Sequence, residues 1–446
     1  MTAGWAACAP EVENFSSGDE VRHPVVLLRG KVEDGAERLS VRTSAGGRKV
    51  SEAAGEIEGG RFKALVELKE GENVVEVKTE RPGAPLRLKL NYRPMTNPHY
   101  VRLIWLTGSE GETDFATPED GVAQTFRERV ATAGRLMQSF TAERMHELGY
   151  GRRTFRLEAD AEGTPVVHVV KAPLTAEEYR GKEDSVALWH EIQLFLDRET
   201  PDSHAKNLVL MAFTRKDEKT GKMLAHTALG GGNLGLFGSA SVFCWPESVA
   251  EAQRAFSDTR KVDASRVHED SAGRGSYWAV ASTTMGATLH EMGHTFGLPH
   301  CKDRRCIMTR GFDGFNRFFV LTESRGEGKG EAFGAEREAW FAPVSASYLR
   351  WSRWFEPDKR TYDRVRRPEL KWDGENGLEV ETQGGLRWLG FYEGGDVAGF
   401  MEFRDEKIDR KEISLREIEE ANGGRTPDRV EALDENGNTG RVELKR

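Results

Sequence analysis

Alternating apolar and polar positions dominate the first quarter of the chain. From Val25 to Tyr92, the segments VVLLRGKV, RLSVRTS, RFKALVELKEGENVVEVKTE and LRLKLNY are separated by Gly, Asp, Glu and Asn turns. In FKALVEL, Phe62, Ala64, Val66 and Leu68 fall on one face of a strand, and Lys63 and Glu67 on the other. Glu70-Gly71-Glu72-Asn73 reads as the turn of a hairpin into VVEVKTE. Strands at this spacing predict a small β-sandwich over residues 23–94, left through the two-proline stretch RPMTNPHY.

The period then changes. VRLIWLTG, PVVHVVK and NLVLMAF read as strands. Between them, Asp120 to Leu148 carries Val122, Phe126, Val130, Ala133, Leu136, Phe140 and Met145 at helical spacing, and DSVALWHEIQLFLDRE predicts a second helix. Such alternation predicts an α/β or α+β domain with a largely parallel sheet over residues 95–358. The glycine-rich run from Thr227 to Trp245 is too loose for a core helix. After Asp358 the β pattern returns: LEVET, LRWLGFYE and VAGFMEF meet at Gly384-Gly385 and Gly394-Gly395, two hairpin signals, and RVEALDENGNTGRVEL reads as another. The expected fold class is therefore α+β, a mixed-sheet domain with an active-site helix between two small all-β, sandwich-like domains (23–94 and 359–446). No period of 20–50 residues recurs, which excludes a solenoid or propeller.

Composition narrows the function. With 446 residues, 38% of them hydrophobic, the chain can bury several cores. Sixty-four Lys+Arg against 73 Asp+Glu give a net charge of −9, which argues against nucleic acid or anionic lipid as a partner. No apolar run approaches the roughly 18–20 residues of a membrane span. Four cysteines are too few for a disulfide scaffold. The opening MTAGWAACAP resembles the tail of a secretion signal, with Cys8 after Ala6-Ala7 as a candidate lipidated residue. Residues 1–22 are thus expected to be a leader or disordered, and the protein secreted or periplasmic, with the cytoplasm as the alternative.

Residues 290–300 read HEMGHTFGLPH. On a helix, His290 and His294 project from one face. Met285, Leu289, Met292 and Phe296 form an apolar stripe that would bury another. Gly297 sits where the helix must stop, and Pro299 prevents its resumption. The turn can return His300 toward the other two histidines. Three nitrogens leave the fourth position of a tetrahedral zinc open, as catalytic rather than structural sites do. Glu291 is placed to take a proton from a zinc-activated water and hand it to a leaving amine. One zinc ion is expected.

HEMGHTFGLPH resembles the HExxHxxGxxH form of the metzincin metallopeptidases, and Met308 in CIMTRGF follows His300 by eight residues, as their Met-turn does. The resemblance implies that Met308 lies as an apolar floor beneath the metal. MLAHTALGGGNLGLFGSASVF is similar to the segment forming the edge strand of matrixin-type members. That implies that Gly238, Ser239, Ala240 and Ser241, on to Phe243, pair with an extended peptide. The stretch from Tyr277-Trp278 to IMTRGFDGFNRFF is most similar to a poorly characterised zinc-metallopeptidase family of fungi and bacteria. Some metzincins place a ligating tyrosine two residues after the Met-turn methionine; here stands Arg310, so three protein ligands are expected. His226 occupies a matrixin structural-zinc position, but the other partners are not evident, with Ser241 and Val242 in the later strand. It is read as a packed or surface histidine.

Cys301 and Cys306 bracket KDRR, where a disulfide is favoured over two thiols or a second metal site. Cys244 reads as a buried apolar residue, His268-Glu269-Asp270 as a solvated turn, and Asn316-Arg317 as an anchor for the segment after the Met-turn. Trp351, Trp354 and Phe355 read as helix packing, and Trp388, Phe391 and Tyr392 as core rather than a sugar-stacking surface. The expected protein is a monomeric zinc peptidase acting on protein or peptide, its β domains open to glycan or protein contact. The alternatives are an inactive or narrow-specificity zinc domain in a binding protein, and an amidase acting on a non-peptide amide.

Overall fold

A computed structural model describes residues 9–33, 35–324, 330–362, 366–374, 377–405 and 407–444. Residues 1–8, which carry most of the MTAGWAACAP stretch behind the secretion and lipidation readings, lie outside them. Eight strands open the chain: β1 (Glu11–Val12), β2 (Glu20–Val21), β3 (Val25–Lys31), β4 (Leu39–Ala45), β5 (Arg48–Glu58), β6 (Arg61–Glu67), β7 (Gly71–Thr79) and β8 (Leu86–Tyr92). They form one sheet in the order β1-β3-β6-β5-β4-β7-β8-β2. The long β5 pairs with β4 and then, from Glu56 onward, with β6. The two halves so linked share a core of Val26, Leu28, Val41, Phe62, Val66, Val75 and Leu90.

Two expectations fail here. β6 makes no hairpin with β7: it pairs with β3 and β5, whereas β7 pairs with β4 and β8, so the chain crosses between the halves at residues 68–70. Asn73 holds that crossing, its Nδ2 donating to the Lys69 carbonyl at 2.6 Å and its Oδ1 accepting from the Lys69 N–H at 2.9 Å. Nor are residues 9–22 a loose leader. β1 pairs with β3 and β2 with β8, because Phe15 and Val21 bury in the same core.

The central sheet runs β10 (Val167–Lys171), β9 (Tyr100–Thr107), β11 (Ala205–Met211), β15 (Leu234–Gly238), β14 (Ala228–Gly231), parallel except for β14 at its edge. A small ribbon of β12 (Arg215–Lys216) and β13 (Met223–Leu224) precedes that hairpin. Both faces of a parallel sheet are buried, and the alternation of β9 and β11 shows it. Ile104, Leu106 and Val209 pack with Leu188 and Ile192 of α3 (Ser185–Glu199), near the short α2 (Ala176–Arg180). Leu103, Trp105, Leu208 and Leu210 face a larger core that includes α1 (Phe126–Glu147) and α5 (Tyr277–Thr295), the latter preceded by the one-turn α4 (Ala252–Ala255). Among described helices, none is long and apolar enough to cross a membrane.

After the ribbon of β16 (Thr322–Glu323) and β17 (Glu331–Ala332) come α6 (Pro343–Trp351), β18 (Glu369–Trp372), β19 (Leu378–Glu393), β20 (Asp396–Glu402), β21 (Ile408–Ile413), α7 (Leu415–Ala421), β22 (Arg429–Asp434) and β23 (Thr439–Glu443). Gly394-Gly395 makes the expected hairpin, joining β19 to β20. Gly384-Gly385 does not: β19 runs through it, with an irregular register between Glu381 and Leu386. Gly385, at φ +78°, provides a bulge at which β19 changes neighbours, from β18 and β21 to β20 and β22. Trp388, Phe391 and Tyr392 are all buried, so they offer no stacking surface. Trp388 donates to Ser347 Oγ of α6 at 3.0 Å and meets Tyr348 edge-on.

Both terminal sheets share the central core. Alternation predicts one wet face on β6, yet Leu65 belongs to the core of the middle region and Lys63 is only 4% exposed. Lys63 Nζ donates to the carbonyls of Arg317 (2.7 Å) and Val320 (2.9 Å) and to Glu338 Oε1 (2.7 Å). Glu338 also pairs with Arg29 of β3 and Arg144 of α1. Burial alone would raise the Glu338 carboxyl, but Lys63, Arg29 and Arg144 outweigh it and hold it down at about 2. Burial, with Arg29 and Arg144 adding to it, brings Lys63 down to about 8 against the pull of Glu338. Glu338→Gln should therefore cost about 3–5 kcal/mol in denaturant unfolding, because it strands buried cations. A carboxylate held below its ordinary 4.5 stabilises fully above that pH and loses its contribution as pH falls toward 2. That part of the acid dependence should vanish in the variant; a change under about 1 kcal/mol would show that the cluster does not couple the sheets.

Candidate metal centre

Every residue of α5 is buried except His294, which is half-buried. The stripe of Met285, Leu289, Met292 and Phe296 accounts for one face only. The others are buried because they carry Ala, Gly, Ser and Thr, which admit close neighbours. Thr284 and Thr288 satisfy their hydroxyls on the carbonyls of Val280 and Thr284, both at 2.7 Å. Trp245 Nε1 donates to Thr284 Oγ1 at 3.0 Å, and Ser282 Oγ to Asn316 Oδ1 at 2.9 Å. A Cβ on Gly286 would lie 2.6 Å from the Phe312 carbonyl oxygen.

The helix ends in a two-bond reversal. Leu298 N–H reaches the Gly293 carbonyl at 3.0 Å and Gly297 N–H the His294 carbonyl at 3.1 Å. Gly297 has φ +95°, and a Cβ there would sit 2.5 Å from the Tyr348 hydroxyl of α6. The reversal returns the chain so that His300 faces the helix. Its carbonyl accepts from Val397 N–H of β20 at 3.0 Å, so the C-terminal sheet holds it from behind.

The three imidazoles converge through Nε2. His290 and His294 are 3.1 Å apart, His294 and His300 3.2 Å, and His290 and His300 3.3 Å. Nitrogens about 2.0–2.1 Å from a tetrahedral zinc lie about 3.3 Å from one another, so the set fits that ion. Nδ1 of His290 donates to the Ile307 carbonyl at 2.7 Å and Nδ1 of His294 to the Leu298 carbonyl at 2.8 Å. Those bonds leave the Nε2 lone pairs turned inward. Burial keeps both rings neutral, lowering His290 to about 4 and His294 in the same direction. Glu291, 7% exposed, is raised by burial to about 8; a nearby dication would draw it down again.

Met308 is fully buried with its Sδ against Gly293, where a Cβ would collide with it. Arg310 is engaged by Asp313 at 2.9 Å and lies over the Phe312 ring, which stands edge-on to His290. Asn316 is buried on Ser282, and Arg317 is paired with Glu323.

The edge-strand assignment needs correction. Gly238 ends β15, an interior strand between β11 and β14, and Ser239, Ala240 and Ser241 form a buried turn before a short helix at Val242–Cys244. The edge is β14, which among the described residues pairs with β15 alone. Gly230 of β14 faces Gly235 of β15, and this pair lies against α5: a Cβ on Gly230 would collide with the Glu291 carbonyl, and one on Gly235 would lie 3.3 Å from Met292 Sδ. The glycines that read as looseness mark close approach. Cys301 and Cys306 are correspondingly unbridged. The Cys306 sulfur instead accepts from the Met308 and Ala342 N–H groups at 3.4 and 3.3 Å. Gly230, Gly235, Gly293 and Val397 are the site residues that sequence reasoning missed.

Residues 9–386 match the "Putative peptidase family". Over 350 residues the chain is 28% identical to a "Putative zinc metalloproteinase" of Schizosaccharomyces pombe, covering 70% of this chain and 54% of that protein. Over 348 residues it is 26% identical to a protein of the same description from Saccharomyces cerevisiae, covering 70% and 49%. The chain thus spans about half the length of these curated relatives. Among solved structures, OgpA of Akkermansia muciniphila superposes with a TM-score of 0.49 at 15% identity, over 78% of this chain and 93% of that one.

The glycine pair yields a direct test. Gly230→Ala should lower unfolding stability by about 1–3 kcal/mol and weaken metal binding, because the added methyl displaces the α5 backbone at Glu291. Gly181→Ala, at an ordinary φ of −74° with no neighbour nearer than 3.4 Å, should change neither. Equal denaturation midpoints for Gly230→Ala and the parent would refute the close-approach argument.

Proposed function

This chain belongs to the "Putative peptidase family", and from that premise we propose that it is a zinc-dependent peptidase of metzincin type. The observation that carries the reading is the triangle of Nε2 atoms, 3.1–3.3 Å on a side, presented by His290, His294 and His300. In this reading those three residues hold a single zinc, which when bound supplies a water of lowered pKa and polarises the scissile carbonyl.

The remaining steps belong to the chain. Glu291, next to His290 on α5, accepts the proton from the attacking water and delivers it to the departing amine. Met308 fills the space beneath the ligands and keeps Gly293, and with it both helical histidines, from shifting. The free edge of β14, Ala228–Gly231, lies over Glu291 and offers backbone donors and acceptors to an extended peptide, which would orient the scissile bond along the strand. A protein or peptide substrate follows from that edge, since a non-peptide amide has no backbone to pair with it.

Elemental analysis together with cleavage of an unstructured protein such as casein tests the proposal. Glu291→Gln should retain zinc and lose at least about two orders of magnitude in rate. His300→Ala should weaken zinc binding itself. Full activity in Glu291→Gln would remove the assigned base, and parent protein that binds no zinc would overturn the reading.

A further inference from the structure

A second group of metal-type donors lies apart from the three histidines. His226, two residues before β14, His268 and Asp270, in the loop before α5, place one ring nitrogen or carboxylate oxygen each within 4.8 Å of one another. The resemblance put His226 at a structural-zinc position of matrixin-type members, but no partners for it were evident. His226 was expected to be a packed or surface residue and His268-Glu269-Asp270 a solvated turn. The turn is half-buried rather than solvated, His226 is packed and half-buried as well, and His226 and His268 meet edge-on with ring centres 5.0 Å apart. Glu269, between the other two, bonds Ser271 Oγ and the Gly275 N–H and so braces the loop.

We propose that His226, His268 and Asp270 form a second divalent-metal site, taking zinc or a similar borderline cation, that ties the loop before β14 to the loop before α5. Two imidazoles and one carboxylate suit such an ion, with room for water to complete the coordination. Packing accounts for the faces of the His226 ring but not for its polar edge. Its Nδ1 is fully buried without a hydrogen-bond partner, an arrangement that costs free energy unless the ring is held for another purpose. The ring is walled by Phe237, 5.8 Å away edge-on, and by Gly238, where a Cβ would lie 2.5 Å from Nδ1 and 3.0 Å from Thr214. The cluster also coincides with backbone strain. Ala225 and Ala272, at φ +48° and +55°, are the non-glycine residues with positive φ among those described, and they flank it on both sides. Arg310, paired with Asp313 at 2.9 Å, also faces Asp270.

Metal stoichiometry decides, and it does so independently of any peptidase activity. The full chain, stripped with chelator, reloaded with zinc and freed of excess by gel filtration, should carry about two ions per chain. His226→Ala and Asp270→Asn should each lower that to about one, and so should the paired His290→Ala, His294→Ala variant, which leaves the second site intact. Cobalt loading provides a second readout: visible absorption should split into two components, one lost in His226→Ala and the other in the paired variant. One ion in the parent that disappears in the paired variant would overturn the second site and leave the first standing. Two ions that persist in both His226→Ala and Asp270→Asn would overturn the assigned ligands. Should His226→Ala fail to fold, the Asp270→Asn count decides alone.

Discussion

Three imidazole nitrogens held about 3.2 Å apart with their lone pairs turned inward are a costly arrangement without a cation among them, and most of the structure around α5 enforces it. The helix is buried on all sides, so it can neither roll nor slide without opening a void. Its end is fixed by the two bonds of the Gly297 reversal and by the Tyr348 hydroxyl. Met308 presses on Gly293 from one side and the Gly230–Gly235 pair on Glu291 and Met292 from another. The parts that do this come from four stretches of sequence, so the site depends on the tertiary fold far more than its eleven-residue motif suggests.

The flanking sheets belong to that enforcement. Val397, on the C-terminal hairpin, holds the carbonyl of His300, and Trp388 fixes the α6 segment that carries Tyr348. At the other end, one buried carboxylate, Glu338, faces three cations drawn from β6, β3 and α1. Such a cluster gains little over a hydrophobic contact of the same size, but it is unforgiving of misalignment, since any shift strands a buried charge. The Arg317 and Val320 carbonyls that also hold Lys63 lie just past the segment in which Met308 meets Gly293 and Phe312 stands edge-on to His290. The N-terminal sheet is thereby clamped to the same part of the chain that supports the histidines.

What could be read from the sequence followed the range of the interactions. The histidines, Glu291 and Gly297 lie within eleven residues at the end of one helix, and local geometry relates them without knowledge of anything else. Individual strands were legible for the same reason. Their partners were not, since alternation gives a strand its faces and says nothing of its neighbours. Residues 70–73 therefore read as a hairpin where the chain crosses between half-sheets, and Gly384-Gly385 read as a turn inside a continuous strand. Lys63 looked like a solvent-facing residue because the carboxylate that receives it is at position 338. Glycine was the most ambiguous signal. At Gly297 it means a positive φ, and at Gly230 and Gly293 it means contact too close for a side chain.

The β14–β15 hairpin shows why that distinction matters for function. A strand that is to template a peptide must keep its register when nothing is paired with its outer edge, and a short, glycine-rich edge strand is poorly suited to do so alone. Here its middle is seated by the Gly230–Gly235 pair on the α5 backbone. The entry to β14 and the exit of β15 come together at a second point, where the His226 ring packs against Phe237 and Gly238. A cation shared by His226, His268 and Asp270 would fasten that point to the loop leading into α5, and thus to the helix bearing His290, Glu291 and His294. The edge strand and the three histidines would then be positioned by one connected frame. If the edge of β14 receives the substrate as proposed, displacing either end of the hairpin would disturb the line of that substrate relative to Glu291 before it disturbed the ligands themselves.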